Sequence, residues 1–276
     1  MPNLTLTILV DNSTQQRGLL AEHGLAVWID TGRQKILFDT GQGLALKHNA
    51  KRLGILLSTA NAIVLSHGHY DHTGGLLEAL AGTDGQKVFA HPKAFNSKYT
   101  GQDKQESRSI GMRETTRYAT QKIAERHLVV TPTAIADDIW CTGPVPRHNS
   151  FETDDSHYFT DKSHSEADNL EDDQAMFIET KTGTIVLLGC AHAGVINTLE
   201  YIDELTSGAP MRVVLGGMHL QHASPQKIND TITALKRFSI QQLSPFHCTG
   251  FNAMCQLSQA FAEQFQWVGA GSRLSY

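Results

Sequence analysis

The sequence predicts an α/β protein of the α+β type, in which mixed sheets are covered by helices. Two observations lead to this prediction. Residues 4–38 consist of short β-rich runs separated by turn residues, a pattern that indicates antiparallel strands. Beyond residue 174, runs of strand length alternate with runs of helical length, which favours helices packed on a sheet. The 276 residues fit one domain, because α/β folds of about 200 to 250 residues occur as single units.

The individual elements are predicted from hydrophobic period and turn residues. The predicted strands are Leu4–Val10, Gly24–Asp30, Ile36–Phe38, Ala62–Leu65, Lys87–Ala90, Ala175–Glu179, Thr184–Leu188, Arg212–Leu215, Gln242–Phe246 and Trp267–Gly269. The predicted helices are Leu44–Leu53, Gly74–Leu80, Val195–Leu205, Ser224–Phe238 and Asn252–Phe265. Thr31–Gln34 is a predicted hairpin turn between the second and third strands.

Two segments depart from this regular pattern. Gln102–His127 is polar and has a helical composition, so we expect a helical insertion over about residues 100–130. Glu152–Asp173 is acidic with little hydrophobic period, and it predicts a long loop over about residues 150–173. Loops of this length in compact domains tend to be functional or mobile.

Charge and composition indicate which kind of molecule the protein binds. Lys and Arg number 23 against 28 Asp and Glu, and the net charge of −5 disfavours binding to nucleic acid or to anionic membranes. We therefore expect a small-molecule substrate. Met1–Val10 lacks a basic region and predicts a strand rather than a signal peptide, and no apolar run reaches transmembrane length. The cysteines show no CxxC spacing, so neither a disulfide scaffold nor a zinc ribbon is indicated, and a cytoplasmic location follows.

The run His67-Gly68-His69-Tyr70-Asp71-His72 predicts a metal site. It follows an apolar strand, and alternate residues of extended backbone face the same side, so His67 and His69 can point at one ion. Asp71 and His72 supply a second pair of ligands. Imidazole mixed with carboxylate suits zinc, manganese or iron. The alternative is a solvated loop that contains histidines by chance, which the position at a strand-to-helix junction disfavours.

The segment Ser66–Leu76 resembles the HxHxDH signature of the metallo-β-lactamase superfamily. This resemblance implies an αβ/βα sandwich of two mixed sheets over residues 1–276 and two divalent metal ions, with zinc favoured. It also implies that His67 and His69 belong to the first metal site, and Asp71 and His72 to the second, with Asp71 taking part in catalysis. Asp39 matches the superfamily's early aspartate, which steadies the ligand loop from behind.

Three later strands end in histidine and supply further candidates: Leu188 to His192, Leu215 to His219, and Ser244 to His247. Three histidines at equivalent positions favour ligands over isolated buried histidines. By order in the family, His247 is assigned to the second metal and His192 to the first. His219 is either a catalytic residue that contacts substrate or a structural one.

The sequence departs from the family at one ligand. Where the family has a bridging aspartate after a strand such as Ile185–Leu188, this chain has Gly189-Cys190. Cys190 is either a thiolate ligand or a buried neutral cysteine. Asp172 or Asp173 is the alternative source of the missing carboxylate.

The later segments narrow the resemblance to one branch of the superfamily. Gly189–Gly194, Gly216–Leu220 and His247–Gly250, with His91-Pro92 and Asp172–Ala175, are similar to the 7,8-dihydropterin-6-yl-methyl-4-(β-D-ribofuranosyl)aminobenzene 5'-phosphate synthases and the metal-dependent hydrolases grouped with them.

Three functions are weighed against this resemblance. The first is a hydrolase of a small phosphoester, phosphoanhydride or lactone, with a phosphorylated substrate favoured, which uses a metal-activated water. The second is a dihydropterin-transferring synthase that releases pyrophosphate. The third, a non-catalytic sensor, is disfavoured because the first four ligands are intact. Arg108 and Arg113 are the candidates for phosphate contacts.

Overall fold

The protein was analysed as a computed structural model that describes residues 4–82, 86–121, 123, 125–152 and 158–276. The chain divides into two compact units. The N-terminal unit comprises Met1–Val130, Asp155–Asp172 and Gly269–Tyr276, and the C-terminal unit comprises Thr131–Asp154 and Asp173–Val268. Each unit has its own sheet and its own cluster of buried apolar side chains. The single domain over residues 1–276 stays a prediction.

The described residues form strands and short helices. The strands are β1 (Thr5–Val10), β2 (Ala26–Asp30), β3 (Lys35–Phe38), β4 (Ala62–Val64), β5 (Lys87–Ala90), β6 (Tyr99–Thr100), β7 (Arg108–Ser109), β8 (Arg126–Leu128), β9 (Thr133–Ala136), β10 (Ile139–Cys141), β11 (Tyr158–Phe159), β12 (Met176–Thr180), β13 (Gly183–Leu188), β14 (Met211–Gly216), β15 (Gln242–Pro245) and β16 (Arg273–Ser275). The helices are α1 (Leu46–Arg52), α2 (Tyr70–Thr73), α3 (Leu76–Leu80), α4 (Glu114–Thr120), α5 (Val195–Leu205), α6 (Pro225–Leu235) and α7 (Phe251–Ala260). Within the described ranges, none of these helices has the length and apolar composition needed to cross a membrane.

The N-terminal unit contains a seven-stranded mixed sheet in the order β16-β1-β2-β3-β4-β5-β8. Its strands from β16 to β3 are antiparallel, and those from β3 to β8 are parallel. The parallel strands β4 and β5 are rich in buried Val, Ile and Phe, which suit a sheet covered on its faces. A second, three-stranded sheet in the order β11-β6-β7 belongs to the same unit.

The C-terminal unit contains a six-stranded mixed sheet in the order β15-β14-β13-β12-β10-β9. Strands β13, β14 and β15 are parallel, and helices α5 and α6 form the connections between them. Helix α6 begins where the side chain of Ser224 accepts a hydrogen bond from the Lys227 amide and Pro225 occupies the first turn. The carboxyl ends of the three parallel strands therefore lie along one edge of this sheet.

The predicted fold class is confirmed, because both large sheets are mixed and the chain matches structures with this fold, as described below. Helix α5 begins and ends where the sequence predicts. The predicted last strand, Trp267–Gly269, is wrong: these residues form no strand, and the strand β16 follows at Arg273–Ser275 and pairs with β1. The sequence also predicts nothing at β9 and β10, two short runs that form strands because β10 pairs with β12 and β9 pairs with β10.

The predicted helical insertion is mostly not helical in the described residues. Only Glu114–Thr120 forms a helix, flanked by the short strands β7 and β8. Backbone contacts with other segments override the local propensity here, since His69 bridges Gly111 and β7 pairs with β6. Residues 122 and 124 of this segment, and 153–157 of the predicted long loop, lie outside the described residues.

Candidate metal centre

The predicted ligands of the N-terminal unit lie on the turn between β4 and α2. We call His67, His69, Asp71 and His72 the loop group. All four side chains are buried. His67 Nε2 lies 2.9 Å from His69 Nδ1, and the ring centroids of His67 and His72 lie 4.2 Å apart. Two nitrogens bound to one tetrahedral zinc lie roughly 3.4 Å apart, so the first two imidazoles are already close to that arrangement.

Asp39 fixes the orientation of two of these histidines. It is fully buried at the end of β3 in a left-handed conformation with φ of 56°. Its carboxylate accepts hydrogen bonds from the Ser66 amide (2.7 Å), the Ser66 hydroxyl (2.6 Å) and His72 Nδ1 (2.7 Å). Because a carboxylate only accepts, His72 donates from Nδ1, and its Nε2 then presents the lone pair.

The same chain of hydrogen bonds reaches the first histidine. The Ser66 hydroxyl lies 2.9 Å from His67 Nδ1. Since this hydroxyl donates its proton to Asp39, it accepts from His67 Nδ1, which leaves the lone pair of His67 at Nε2. One buried carboxylate therefore sets the tautomers of both histidines for metal binding.

Asp71 lies between two imidazoles. Its Oδ2 atom is 3.2 Å from His23 Nε2 and 3.7 Å from His72 Nε2. His23 is half-exposed and was not among the predicted residues. No signal near it in the sequence marks it, because it follows a loop far from the histidine run. Asp71 therefore has one buried and one accessible imidazole within 4 Å of its Oδ2 atom.

A buried ion-pair network supports the backbone of the ligand loop. The Gly68 amide, between the first two histidines, donates to Asp172 Oδ2 at 2.8 Å. Lys98, which is 1% exposed, donates to Asp172 Oδ1 at 2.7 Å and to Asp168 Oδ2 at 2.8 Å. Burial lowers the pKa of Lys98, but the two carboxylates outweigh it and hold that pKa above its usual value. Both oxygens of Asp172 are thus engaged by Lys98 and Gly68.

The predicted ligands of the C-terminal unit follow the parallel strands. We call Cys190, His192, His219 and His247 the strand-end group. Cys190 and His192 follow β13, His219 follows β14, and His247 follows β15, so all four lie at one edge of the sheet. His219, His247 and Ala191 adopt left-handed backbone, with φ of 48°, 55° and 53°. Such conformations are rare for residues other than glycine and concentrate at functional sites.

The side chains of this group form two overlapping triads. The ligand atoms of Cys190, His192 and His219 lie within 4.8 Å of one another, and so do those of Cys190, His247 and Cys248. The rings of His192 and His219 lie 4.2 Å apart between centroids. Cys190 belongs to both triads and so occupies the centre of the group. Cys248 is the residue that the sequence reasoning missed, although it directly follows a predicted ligand.

Cys248 is held tightly in its position. The His219 amide donates to its Sγ at 3.3 Å, and a Cβ atom added at Gly217 would lie 2.5 Å from that sulfur. Burial raises the pKa of the Cys248 thiol, but hydrogen bonds with Cys190 and His219 and the charge of His247 outweigh burial, so the pKa lies well below its usual value. Thiolate is the form that binds metal.

Asp173 lies beside the strand-end group without joining a triad. It is buried, and its Oδ2 accepts a hydrogen bond from the Ala193 amide at 2.9 Å. Burial raises the pKa of its carboxyl, and the charge of His192 offsets part of this effect. Among the described residues, neither Asp172 nor Asp173 belongs to a triad of ligand atoms within 4.8 Å. Cys190, in contrast, belongs to both triads of the strand-end group.

The predicted arginines lie near the loop group in the N-terminal unit. Arg108 is exposed on β7, and Arg113 is exposed immediately before α4. Burial and the charge of Asp71 raise the pKa of Tyr70, while Arg108 lowers it, which places the Arg108 charge near the Tyr70 hydroxyl. Arg113 instead donates to the Gln42 carbonyl at 3.3 Å.

The donor set fits divalent metal ions. Imidazole nitrogens with preset lone pairs, a carboxylate and buried thiols are the ligands that zinc takes in proteins, and they also suit iron or manganese at the nitrogen and oxygen positions. Carboxylate partners on ligating histidines are a common feature of zinc sites. A mixed α/β fold with such ligands at the ends of strands defines a class of metal-dependent enzymes.

Comparison with known proteins identifies the family. Residues 20–197 match the family described as the metallo-beta-lactamase superfamily, which is more than half of the chain. The chain therefore belongs to the metallo-β-lactamase superfamily. An uncharacterised protein of Methanocaldococcus jannaschii is 35% identical over 255 residues, which cover 92% of this chain and 94% of that protein.

Two further likenesses bear on function and fold. The 7,8-dihydropterin-6-methyl-4-(beta-D-ribofuranosyl)-aminobenzene-5'-phosphate synthase of the same organism is 27% identical over 98% of this chain and 95% of its own length. A crystal structure described as a metal-dependent hydrolase of the beta-lactamase superfamily is 29% identical, with a TM-score of 0.85 over 98% of both chains. The metallo-beta-lactamase fold protein YhfI from Bacillus subtilis, 13% identical with a TM-score of 0.61 over 100% of both chains, shares the fold.

Proposed function

We propose that the protein is a metal-dependent hydrolase that acts on a small phosphorylated molecule through a metal-activated water. The observation that carries this proposal is the loop group with its tautomers preset by Asp39. A site that only needed buried polar groups would not require two imidazoles that both present Nε2. The 29% identical structure described as a metal-dependent hydrolase supports it.

The proposed ligands are those that the family resemblance implies. They are His67, His69, Asp71 and His72 of the loop group, and His192 and His247 of the strand-end group, for two divalent ions with zinc favoured. We add Cys190, which the two triads place at the centre of its group. Asp173 stays a weaker candidate, because its Oδ2 is engaged by the Ala193 amide.

Two of these side chains are assigned catalytic roles. A bound divalent metal would lower the pKa of a water molecule and would stabilise negative charge on a phosphoryl oxygen. The Asp71 carboxylate would accept a proton at Oδ2 and pass it to His23 Nε2, which lies 3.2 Å away and is half-exposed. His219 is half-buried, and its backbone amide donates to Cys248. We assign its imidazole to contact the substrate, because its side chain is partly accessible to solvent.

Metal content and hydrolysis of a diester test this proposal together. We expect about two zinc ions per chain by elemental analysis and turnover of bis(p-nitrophenyl) phosphate. The double variant His67→Ala, His69→Ala should lose metal and turnover, whereas His222→Ala, an exposed histidine, should retain both. Loss of metal with full activity in the double variant would overturn the hydrolase assignment.

A second function is supported by the 27% identical relative named as a synthase. In that case the same residues would bind the pyrophosphate leaving group of a dihydropterin and stabilise its negative charge during transfer. The metal-loaded protein should then bind dihydropterin pyrophosphate in a calorimeter and release pyrophosphate when an aryl amine ribotide is added. Absence of binding of both compounds would remove this alternative.

The proposed substrate and location agree with the chain's composition. The net charge of −5 supports a small molecule over nucleic acid. The four cysteines form no disulfide, which supports a reducing, cytoplasmic location.

A further inference from the structure

A polar cavity of about 340 Å³ lies in the N-terminal unit, beside the loop group. Its walls come from the start of α2, from β6 and β7, and from α4 with the residues just before it. The volume falls at the lower end of the range for small-molecule pockets, roughly 300 to 1,000 Å³. The cavity can therefore hold one group of a substrate rather than the whole of a large one.

The wall of this cavity is fixed to the ligand loop by backbone contacts. The Tyr70 amide donates to the Ile110 carbonyl at 2.9 Å, and His69 forms a bridge with Gly111. Residues from β7 to α4 are therefore held at a set position relative to the metal ligands His69 and Asp71. Tyr70, which lines the cavity, stands between two members of the loop group in the sequence.

The lining of the cavity consists mainly of hydrogen-bond donors. Tyr70, Ser97, Tyr99 and Ser109 contribute hydroxyl groups. Hydroxyls on several different elements that converge on one cavity suit an anion with several oxygens, since each hydroxyl can donate to one of them. A hydrophobic ligand would leave these groups without water and without partners.

The rest of the lining consists of two arginines together with Gly111, Met112 and Glu114. Arg117 donates to the Ser97 hydroxyl at 3.0 Å and lies 3.6 Å from Glu114, whose side chain is 92% exposed. Arg113 donates to the Gln42 carbonyl at 3.3 Å. Each guanidinium has five N–H donors, and these contacts use a minority of them. These contacts orient the two guanidinium groups. The ion pair of Arg117 with the exposed Glu114 is weak, so a bound anion can replace it.

We propose that this cavity binds a phosphate monoester group of the substrate through Arg113 and Arg117, as an anchor separate from the bond that is hydrolysed. Two planar guanidinium groups suit the tetrahedral dianion, because each can make paired hydrogen bonds to its oxygens. The inference rests on the proposed function for the identity of the reacting site, and it adds the residues that hold a phosphate group which does not react. Arg108, on the neighbouring strand, adds positive charge near Tyr70.

Competitive inhibition by phenylphosphonate tests the anchor in the metal-loaded enzyme. The phosphonate is a dianion of the right shape that cannot be hydrolysed, and benzoate is the matched carboxylate. With bis(p-nitrophenyl) phosphate as reporter, we expect phenylphosphonate to inhibit the wild-type enzyme more strongly than benzoate. Its inhibition constant should rise about 10-fold in Arg113→Gln and in Arg117→Gln. Arg33→Gln, an exposed arginine in the turn after β2, removes the same charge and should leave the constant unchanged.

The outcomes separate the anchor from the proposed function. Equal inhibition constants in the wild type and both arginine variants would overturn the anchor, because phosphonate held only by metal would not respond to them. Benzoate binding as tightly as phenylphosphonate would overturn the phosphate assignment. If the protein does not hydrolyse the reporter, binding of phenylphosphonate is measured by calorimetry instead. Binding that depends on both arginines, in a protein that does not hydrolyse the reporter, would support the anchor and contradict the hydrolase function.

Discussion

The loop group and the strand-end group are built in different ways. The histidines of the loop group are oriented through their side chains, since one carboxylate, Asp39, sets the tautomers of His67 and His72. The strand-end group is oriented through its backbone, with His219 and His247 in left-handed conformations. Ligands on one contiguous turn can share a single hydrogen-bonded partner, whereas ligands on three separate strands need a rigid sheet edge and unusual backbone angles.

Both groups also use a carboxylate that accepts backbone amides. In the N-terminal unit, Asp172 accepts from Gly68 and is itself paired with the buried Lys98. In the C-terminal unit, Glu152 accepts from the amides of Ile196 and Asn197 at the start of α5, shortly after His192. The first carboxylate is paired with a buried cation, whereas the hydrogen bonds described for the second come from neutral groups, the two amides and the Asn149 side chain. We therefore expect removal of this cation to lower the unfolding free energy more than removal of the Glu152 charge.

Replacing Lys98 tests this difference with the largest expected effect. Lys98→Met leaves Asp168 and Asp172 buried without their cation, and breaking a buried pair in this way costs about 3 to 5 kcal/mol of unfolding free energy. Lys93→Met is the control, because Lys93 pairs with Glu171 at the surface and should cost about 1 kcal/mol or less. Urea unfolding of both variants measures this. Equal losses would contradict the buried network.

The same network has a defined pH dependence. The pKa of Lys98 is raised above 10.5, so its stabilising contribution is complete below that pH and is lost as the pH rises through the raised value. The stability difference between the wild type and Lys98→Met should therefore be constant near neutrality and shrink only in strongly alkaline solution.

Asp39→Asn should have the next largest effect, on metal affinity. Asparagine has one accepting oxygen instead of two, so its NH2 group faces either His72 Nδ1, which must then accept, or the Ser66 amide, where two donors would meet. Either arrangement disturbs the hydrogen bonds that keep His72 a donor at Nδ1. Loss of such a partner typically lowers metal affinity about 10- to 100-fold. Asp30→Asn, at the end of β2, removes the same charge and should leave affinity unchanged. Zinc titration against a competing chelator decides the point, and unchanged affinity in Asp39→Asn would refute the tautomer argument.

Cobalt substitution tests the thiols of the strand-end group. With Co²⁺ bound, we expect a sulfur-to-metal charge-transfer band in the near ultraviolet, because Cys190 lies at the centre of both triads. Cys190→Ser should abolish most of the band and weaken cobalt binding about tenfold, and Cys248→Ser should reduce it. Cys255→Ser, on α7, is the control. A spectrum that is the same in all variants would show that no thiolate binds the metal.

Glu152→Gln should have the smallest effect. Burial raises the pKa of Glu152 above 4.5, so the folded state binds its proton more tightly than the unfolded state. Wild-type stability relative to the variant should therefore fall as the pH rises from about 4.5 through the raised pKa, and then level off, by at most about 1 kcal/mol. Glu204→Gln, exposed on α5, should show no such slope in thermal unfolding. A flat difference for Glu152 would mean that its amide contacts offset burial.

Much of the fold could be predicted because its elements carry local signals. Helix α5 has an amphipathic period, and β1 has alternating, β-branched residues. The elements that were missed lack such signals. Strand β16 contains one buried apolar residue, Leu274, and exists because it pairs with β1. The segment before α4 forms strand β7 because β6 offers it a partner.

The residues of the candidate site also divide into those with a local sequence signal and those without one. The loop group could be found from sequence because its four ligands lie within six residues, so local geometry alone brings them near one another. Cys248, His23 and Lys98 could not be assigned roles in this way. Each acquires its role from a contact with a residue distant in sequence, as Lys98 does with Asp168 and Asp172.

The sequence by itself determined the family, the fold class and the position of the loop group, since these depend on spacing within short segments. Only the tertiary structure decided which donor each buried carboxylate accepts a hydrogen bond from. It assigned Asp39 to His72, Asp172 to Gly68, and Asp173 to the Ala193 amide. The physical reason is that a carboxylate has the same chemistry wherever it lies in the chain, and its role depends on which donor the fold brings within hydrogen-bond distance.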